Sequence, residues 1–179
     1  MSKFISYISA NLVILILGLS LFSCGYIAKR SYYTELEDYN AIWELPGVSV
    51  NQDDNSLSVF PGSVDDMEVE AFLCRYDEQL PLGEGFQVFL RIKYDNEVFE
   101  NELQRLKNEF TSDLNDSFQD LAYTAYVKCL GEAYSYYEYA LVDETKKEIT
   151  YVYLESLPKD EIEMDHKYLP NDYEDYGRE

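Results

Sequence analysis

The sequence predicts an α+β domain with a mainly antiparallel sheet of five to six strands, one amphipathic helix packed on a face, and an N-terminal signal or anchor segment before it. Three observations favour this class. Short apolar and polar alternations are typical of half-buried strands, one stretch has apolar residues at helical spacing, and short links join the last strands. The chain has 179 residues. Without the N-terminal segment about 150 residues remain, the size of one domain.

The N-terminal segment has the composition of an export signal. Lys3 supplies a positive charge, and an apolar run occupies residues 12–22. This run is shorter than the roughly 20 residues that a spanning helix needs, and it fits the core of a signal peptide. It closes with Leu21-Phe22-Ser23-Cys24, a tetrad that resembles the lipobox of bacterial lipoproteins.

The resemblance to a lipobox implies a lipid anchor. A diacylglycerol would be attached to the sulfur of Cys24, a peptidase would cut before it, and two acyl chains hold a protein firmly on a membrane. Phe22 and Lys29-Arg30 depart from the pattern. A second interpretation therefore stays open, in which residues 4–28 form one uncleaved transmembrane helix and the chain is a single-pass membrane protein.

The chain divides into four parts by composition. We assign residues 1–23 to a lipoprotein signal peptide, 24–34 to a tether, 35–158 to the α+β domain and 159–179 to an acidic tail that is partly mobile. The domain should contain, in order, a short helix before residue 46, a short strand at 57–60, strands at 69–76 and 86–94, a helix at 96–110, and strands at 121–129, 134–142 and 149–157.

The helix at 96–110 has the clearest signal. Asp95 is a good N-cap, and Phe99, Leu103, Leu106 and Phe110 recur at spacings of four, three and four. These residues form one apolar stripe, which must be buried against the sheet.

The charge restricts the partners. The formal net charge is −21, and a mature chain that starts at Cys24 loses only Lys3 and carries −22. Such a field repels nucleic acid, whose affinity for proteins depends on Lys and Arg, so we expect no nucleic-acid partner. A basic protein or divalent cations would suit the charge, and solubility near a negative membrane surface explains it more simply.

No residue pattern predicts a metal, a cofactor or a nucleophilic catalytic site. The sequence has one histidine, His166 in the acidic tail, and its three cysteines lack metal-ligand spacing. Residues 53–56 are rich in oxygen ligands but lack the glycine and the distal glutamate of a calcium loop. Cys74 and Cys129 are either a disulfide or two small buried residues.

Carboxylates for hydrolysis are present without a specific pattern. Glu138, Asp143 and Glu155 would supply a pair for glycoside hydrolysis. A chain with 35 acidic residues brings some pair to a workable distance by chance, so we predict no catalytic residues.

Tyrosine is the most unusual component of the composition. The chain has 18 tyrosines, and many of them crowd into the last three predicted strands. An outward-facing set would make an aromatic surface for a glycan or a protein partner. The candidate binding surface is Tyr136, Tyr137, Tyr139, Tyr151 and Tyr153. The alternative is that these side chains pack across half-buried strands.

Three segments between about residues 86 and 170 resemble a group of small lipoprotein-like proteins of Gram-positive bacteria. They are FENELQRLK at 99–107, YALVD at 139–143 and HKYLP at 166–170. No activity is assigned to that group, so the resemblance implies a surface location and transfers no site residues.

The sequence therefore predicts a membrane-anchored extracytoplasmic lipoprotein whose body is a non-enzymatic binding or interaction module. Its partners would be the membrane, through the N-terminal lipid or helix, and a protein or a glycan. The alternative is an anchored hydrolase that acts on cell-wall or surface material.

Overall fold

A single antiparallel sheet organises the described part of the chain. The computed structural model describes residues 27–45, 57–80, 83–113, 117–118, 123–130 and 136–173. Within these ranges the strands are β1 (Ile27–Tyr33), β2 (Glu68–Leu80), β3 (Gly83–Lys93), β4 (Thr111–Asp113), β5 (Thr124–Leu130), β6 (Tyr136–Asp143) and β7 (Glu148–Glu155). Their order is β1-β2-β3-β7-β6-β5-β4, and all neighbours are antiparallel. The α+β class is confirmed, but the described strands number seven rather than five or six.

Sequence periodicity misses both edge strands. β1 lies in the segment assigned to a tether, and it pairs with β2 from Ile27–Leu80 to Tyr33–Cys74. β4 has only three residues and pairs with β5. Residues 57–60 form turns instead of the expected strand, and Leu57 has a φ of 64°. Because β1 lacks a clean alternation and β4 is too short to show a period, long-range pairing decides both strands.

The helix α1 (Asn96–Glu109) begins where the sequence predicts. The Asp95 carboxylate accepts a hydrogen bond from the Val98 amide at 2.9 Å, which caps the first turn. Phe99, Leu103 and Leu106 are buried against the sheet. Each such side chain contributes about 1.5–3 kcal/mol when it leaves water. The first predicted helix is a nine-residue 3-10 helix, Leu36–Glu44, which buries Tyr39 and Ile42 against the same face of the sheet.

Both faces of the sheet are covered. Helix α1, the 3-10 helix and the loop at 57–64 lie on one face, which we call the helix face. The C-terminal strap, residues 157–173, crosses the other, which we call the strap face. Its buried side chains include Leu157, Ile162, Tyr168, Leu169 and Tyr173. Residues 159–173 of the expected acidic tail therefore pack on the body, because apolar residues are spaced through them, and residues 174–179 lie outside the described part.

The two ends of the sheet differ. At the hairpin end, β1 begins, β2 ends and β3 begins. At the helix-start end, Glu68, Lys93 and Glu148 are register partners, and the chain turns from β3 into α1.

The predicted signal peptide at 1–23 and Cys24 lie outside the described residues. An uncleaved helix over residues 4–28 would include Ile27 and Ala28, which belong to β1. Within the described ranges, no helix has the length and apolar character needed to cross a membrane.

Candidate functional site

The predicted tyrosine surface is not exposed. Tyr137, Tyr139, Tyr151 and Tyr153 are at most 2 % exposed, and Tyr136 is half-buried. The first two lie under the strap and the next two lie under the helix face. The expectation of an outward-facing set is therefore wrong, because layers cover both faces and strand alternation sends every ring into one core or the other.

The buried tyrosine hydroxyls bridge layers of the fold. The Tyr151 hydroxyl donates to the Glu102 carboxylate of α1 at 2.8 Å and lies 2.7 Å from the Tyr94 hydroxyl. The Tyr139 hydroxyl donates to the carbonyl of Tyr168 in the strap at 2.8 Å. Buried hydroxyls need such partners, so these tyrosines join the sheet to both covering layers.

The carboxylates considered for hydrolysis do not open toward a substrate. Glu138 and Glu155 lie on the helix face, whereas Asp143 lies on the strap face, where it binds the amides of its own turn. Glu138 is fully buried. One of its oxygens accepts the Val59 amide at 2.8 Å, and the other lies 3.2 Å from the Lys128 ammonium.

The environment of Glu138 favours its neutral form. Burial raises the pKa of this carboxyl, and the Val59 amide and the Lys128 ammonium offset the effect only in part. A raised pKa in a cleft would suggest an acid catalyst. Here the side chain instead holds the loop at 57–64 on the sheet.

A cluster of charges ties the strap to the sheet. Arg75 is 1 % exposed and donates to the Asp77 carboxylate, to the Glu161 carboxylate at 2.7 Å and to the Glu161 carbonyl. Arg30 of β1 makes two parallel bonds to Asp77, at 2.9 and 3.0 Å. We call Arg30, Arg75, Asp77, Glu161 and Glu163 the arginine cluster. The neighbouring Tyr32 hydroxyl donates a hydrogen bond to the Glu163 carboxylate at 2.6 Å.

The two arginines of the arginine cluster are neutralised by its three carboxylates. Burial alone raises the pKa of Asp77, but the hydrogen bonds from Arg75 and Arg30 outweigh burial and hold this pKa below its usual value. The cluster therefore connects β1, β2 and the strap, and its charges are engaged with each other rather than offered to a ligand.

A first cavity, the strap groove, lies between the strap and strands β2 and β3. Its volume is about 280 Å³, and Leu73, Phe89, Met164 and Tyr168 line it. Arg91 at its rim pairs with Glu70 at 3.0 Å, and Lys167 pairs with Asp165 at 3.1 Å. The lining has two cations, Arg91 and Lys167, and two acids, Glu163 and Asp165, so this groove carries no net formal charge.

A second cavity, the acidic groove, lies at the helix-start end. Its volume is about 450 Å³. Its lining carboxylates are Asp65, Asp66, Glu68 and Asp95. Met67 and the 40 % exposed Val98 add apolar surface. The one lysine of the lining, Lys93, lies 3.5 Å from Glu68 in a solvent-exposed pair that neutralises little.

The acidic side chains of the groove make few hydrogen bonds within the fold. Asp95 caps α1, and Asp65 accepts a hydrogen bond from Ser63 at 2.7 Å. The Asp66 side chain makes no hydrogen bond or ion pair with another described residue. The groove is therefore a concave, negatively charged surface with an apolar component, suited to a basic and partly apolar segment.

The sequence alone identifies the residues of the acidic groove only in part. The acidic stretch at 65–70 and the N-cap Asp95 are both visible in it, but their proximity is not. The signal was the pair of consecutive strands predicted at 69–76 and 86–94, because antiparallel pairing of two such strands brings the start of the first beside the end of the second.

Metal-binding groups are not gathered in the described ranges, which hold no group of three or more His, Cys, Asp or Glu side chains arranged for a metal. His166 is exposed on a short turn of the strap. The calcium-like residues 53–56 lie outside the described part.

The two body cysteines do not form a disulfide with each other. Cys74 is on β2 and Cys129 on β5, four strand positions apart in the sheet order. At about 4.8 Å per strand this separation is roughly 19 Å, far beyond the roughly 7 Å that a disulfide spans between Cα atoms.

Comparison of the chain with protein-family models, with curated proteins and with solved structures yields no match. The resemblance to small lipoprotein-like proteins stays a prediction, and the function is argued from the site alone.

Proposed function

We propose that the protein is a membrane-anchored extracytoplasmic lipoprotein, attached through Cys24, whose folded part is a non-enzymatic binding module for a basic segment of another protein. The observation that carries the proposal is the acidic groove. It is concave, about 450 Å³ in volume, and lined by four carboxylates beside the exposed Val98. Groups of this kind attract cationic side chains and accept their aliphatic parts.

The charge distribution supports a basic partner. The described arginines, which are Arg30, Arg75, Arg91 and Arg105, all make ion pairs with acidic side chains of the same chain. The acidic residues are in large excess over the basic ones, 35 against 14. The surface field is therefore negative, and it speeds the approach of a positively charged protein at low ionic strength.

The test removes charge from the groove and leaves the helix cap in place. Asp65→Asn, Asp66→Asn and Glu68→Gln are combined, and Asp95 is kept because it caps α1. The matched control combines Glu44→Gln, Glu100→Gln and Asp172→Asn, three exposed acids outside the groove, so both variants lose equal charge.

The variants are compared by crosslinking on intact cells, followed by identification of the captured species and by binding of that purified species. We expect wild type and control to capture the same protein through a Lys- and Arg-rich segment, and the groove variant to bind it at least tenfold more weakly. Equal capture by both variants would refute the groove as the site. Capture of a glycan would refute the proposed partner class.

A further inference from the structure

We infer that the anchored domain stands end-on, with the hairpin end of the sheet toward the bilayer and the helix-start end, with its acidic groove, directed away from the lipid. This inference rests on the lipid anchor of the proposed function. It identifies which surface of the body meets the membrane and which is presented to a partner.

The first argument is the length of chain between the anchor and the sheet. Lys29 lies in β1 and follows Cys24 by five positions. Five residues span at most about 18 Å when fully extended. Lys29 is the register partner of Glu78, which in turn faces Glu84 of β3 near the hairpin end.

The length of the sheet decides the orientation. Lys93, at the helix-start end, lies nine positions beyond Glu84 on β3, a distance of about 30 Å. If the helix-start end touched the bilayer, Lys29 would stand about 30 Å above it, beyond the reach of an 18 Å connection. The domain therefore cannot stand on its helix-start end while Cys24 remains in the membrane.

The second argument is that β1 does not act as a hinge. It pairs with β2 along its whole length. Two of its side chains also contact the strap. Arg30 donates a hydrogen bond to Glu161 at 3.1 Å, and Tyr32 donates one to Glu163 at 2.6 Å. The first strand after the anchor is therefore held to the body at several points.

The third argument is the charge of the surfaces that a tilted domain would bring to the lipid. The helix-start end exposes Asp66, Glu68, Glu97 and Glu144. The side of the strap exposes further acids, including Glu163 and Asp165. An anionic leaflet repels both surfaces, whereas β1 carries the exposed Lys29 close to the anchor.

The test measures the height of two labelled positions above the membrane. The full chain is produced in bacteria and reconstituted in vesicles of phosphatidylcholine and phosphatidylglycerol that contain a headgroup energy acceptor. Single cysteines are introduced by Lys159→Cys, four residues after β7 ends near the hairpin end, and by Glu144→Cys, in the turn at the helix-start end. Cys129→Ser removes one native thiol. Cys74 stays, because it is buried and burial raises the pKa of its thiol to about 12.

We expect strong energy transfer from a donor at position 159 and at least threefold weaker transfer from one at position 144. A Gly-Ser insertion of about 20 residues after Tyr26 frees the domain and should remove the difference. Equal transfer from both positions without the insertion, or stronger transfer from 144, overturns the orientation.

Fatty-acid labelling of the same samples separates the two proposals. Labelled protein with equal transfer refutes the orientation alone. Absence of label with Cys24 intact refutes the lipid anchor and, with it, the orientation that depends on it.

Discussion

Two buried carboxyl groups of this domain have pKa values shifted in opposite directions by their surroundings. Asp77 is buried beside two arginines, and their hydrogen bonds keep its pKa below the usual value. Glu138 is buried beside one lysine and one amide, and its pKa is raised by burial. The first carboxylate stabilises the native state when it is ionised, whereas ionisation of the second costs stability.

Arg75→Met should lower the free energy of unfolding by about 3 kcal/mol, because it leaves the buried Asp77 with Arg30 alone. Urea unfolding followed by the fluorescence of the single tryptophan, Trp43, measures the change. The control Lys93→Met breaks a solvent-exposed pair with Glu68 and should cost less than about 1 kcal/mol. Similar losses in both variants would contradict the role assigned to the arginine cluster.

Glu138→Gln should gain stability relative to wild type as the pH rises. A carboxyl with a raised native pKa binds more protons when folded, so the wild type loses stability between the ordinary glutamate pKa of about 4.3 and the raised native value. Glutamine keeps an oxygen for the Val59 amide and does not titrate. Unfolding is compared from pH 4 to pH 8, and a stability difference that does not change with pH would sink the idea.

At the scale of elements, the strap makes the sheet a buried layer. Seven described strands with one face open would expose Tyr137, Tyr139 and Leu154 to water. The strap covers these residues with side chains of its own, and it is tied down by the Glu163 amide, which donates to the Gln87 side chain at 3.0 Å. The strap stabilises the fold by burying apolar surface, and its polar contacts fix its position on the sheet.

A chain that ends at Ser156 should lose cooperative unfolding and bind the dye ANS, because it exposes the apolar strap face. The control chain ends at Tyr173 and keeps every described residue of the strap. We expect the control to unfold like wild type. If the chain ending at Ser156 also unfolded cooperatively without dye binding, the strap would be dispensable for the core.

At the scale of the whole molecule, the direction of β1 determines where the proposed anchor lies relative to the acidic groove. The strand begins at the hairpin end, so in the proposed lipoprotein the anchor and the acidic groove lie at opposite ends of the body. In the proposed orientation, the negative charge of the domain would keep its sides away from an anionic leaflet. A tethered binding module needs this separation, because a groove pressed against lipid would be closed to a partner.

Cys24→Ala should abolish incorporation of radiolabelled fatty acid and leave the longer, unprocessed precursor, since in the proposed lipoprotein the sulfur of Cys24 accepts the lipid. Cys129→Ser, which changes a cysteine of β5, is the matched control and should be labelled like wild type. Processing and labelling that persist in Cys24→Ala would rule out the lipobox interpretation and with it the anchored module.

The sequence by itself determined the elements whose signals are local. The helix α1 with its cap Asp95, the strands β2, β3, β5, β6 and β7, and the burial of Phe99, Leu103 and Leu106 all follow from capping, periodicity and short turns. Such patterns act within one or two turns or one hairpin, so a single stretch of chain contains them.

Only the tertiary structure decided the rest. β1 forms because β2 offers an edge to a segment without strand periodicity, and the strap packs because the sheet has a second apolar face to cover. The same covering buried the tyrosines that alternation alone would leave outside. The acidic groove arises where residues 65–68 meet Asp95 across a strand pair. Each of these outcomes depends on contacts between residues far apart in the chain, which local periodicity does not specify.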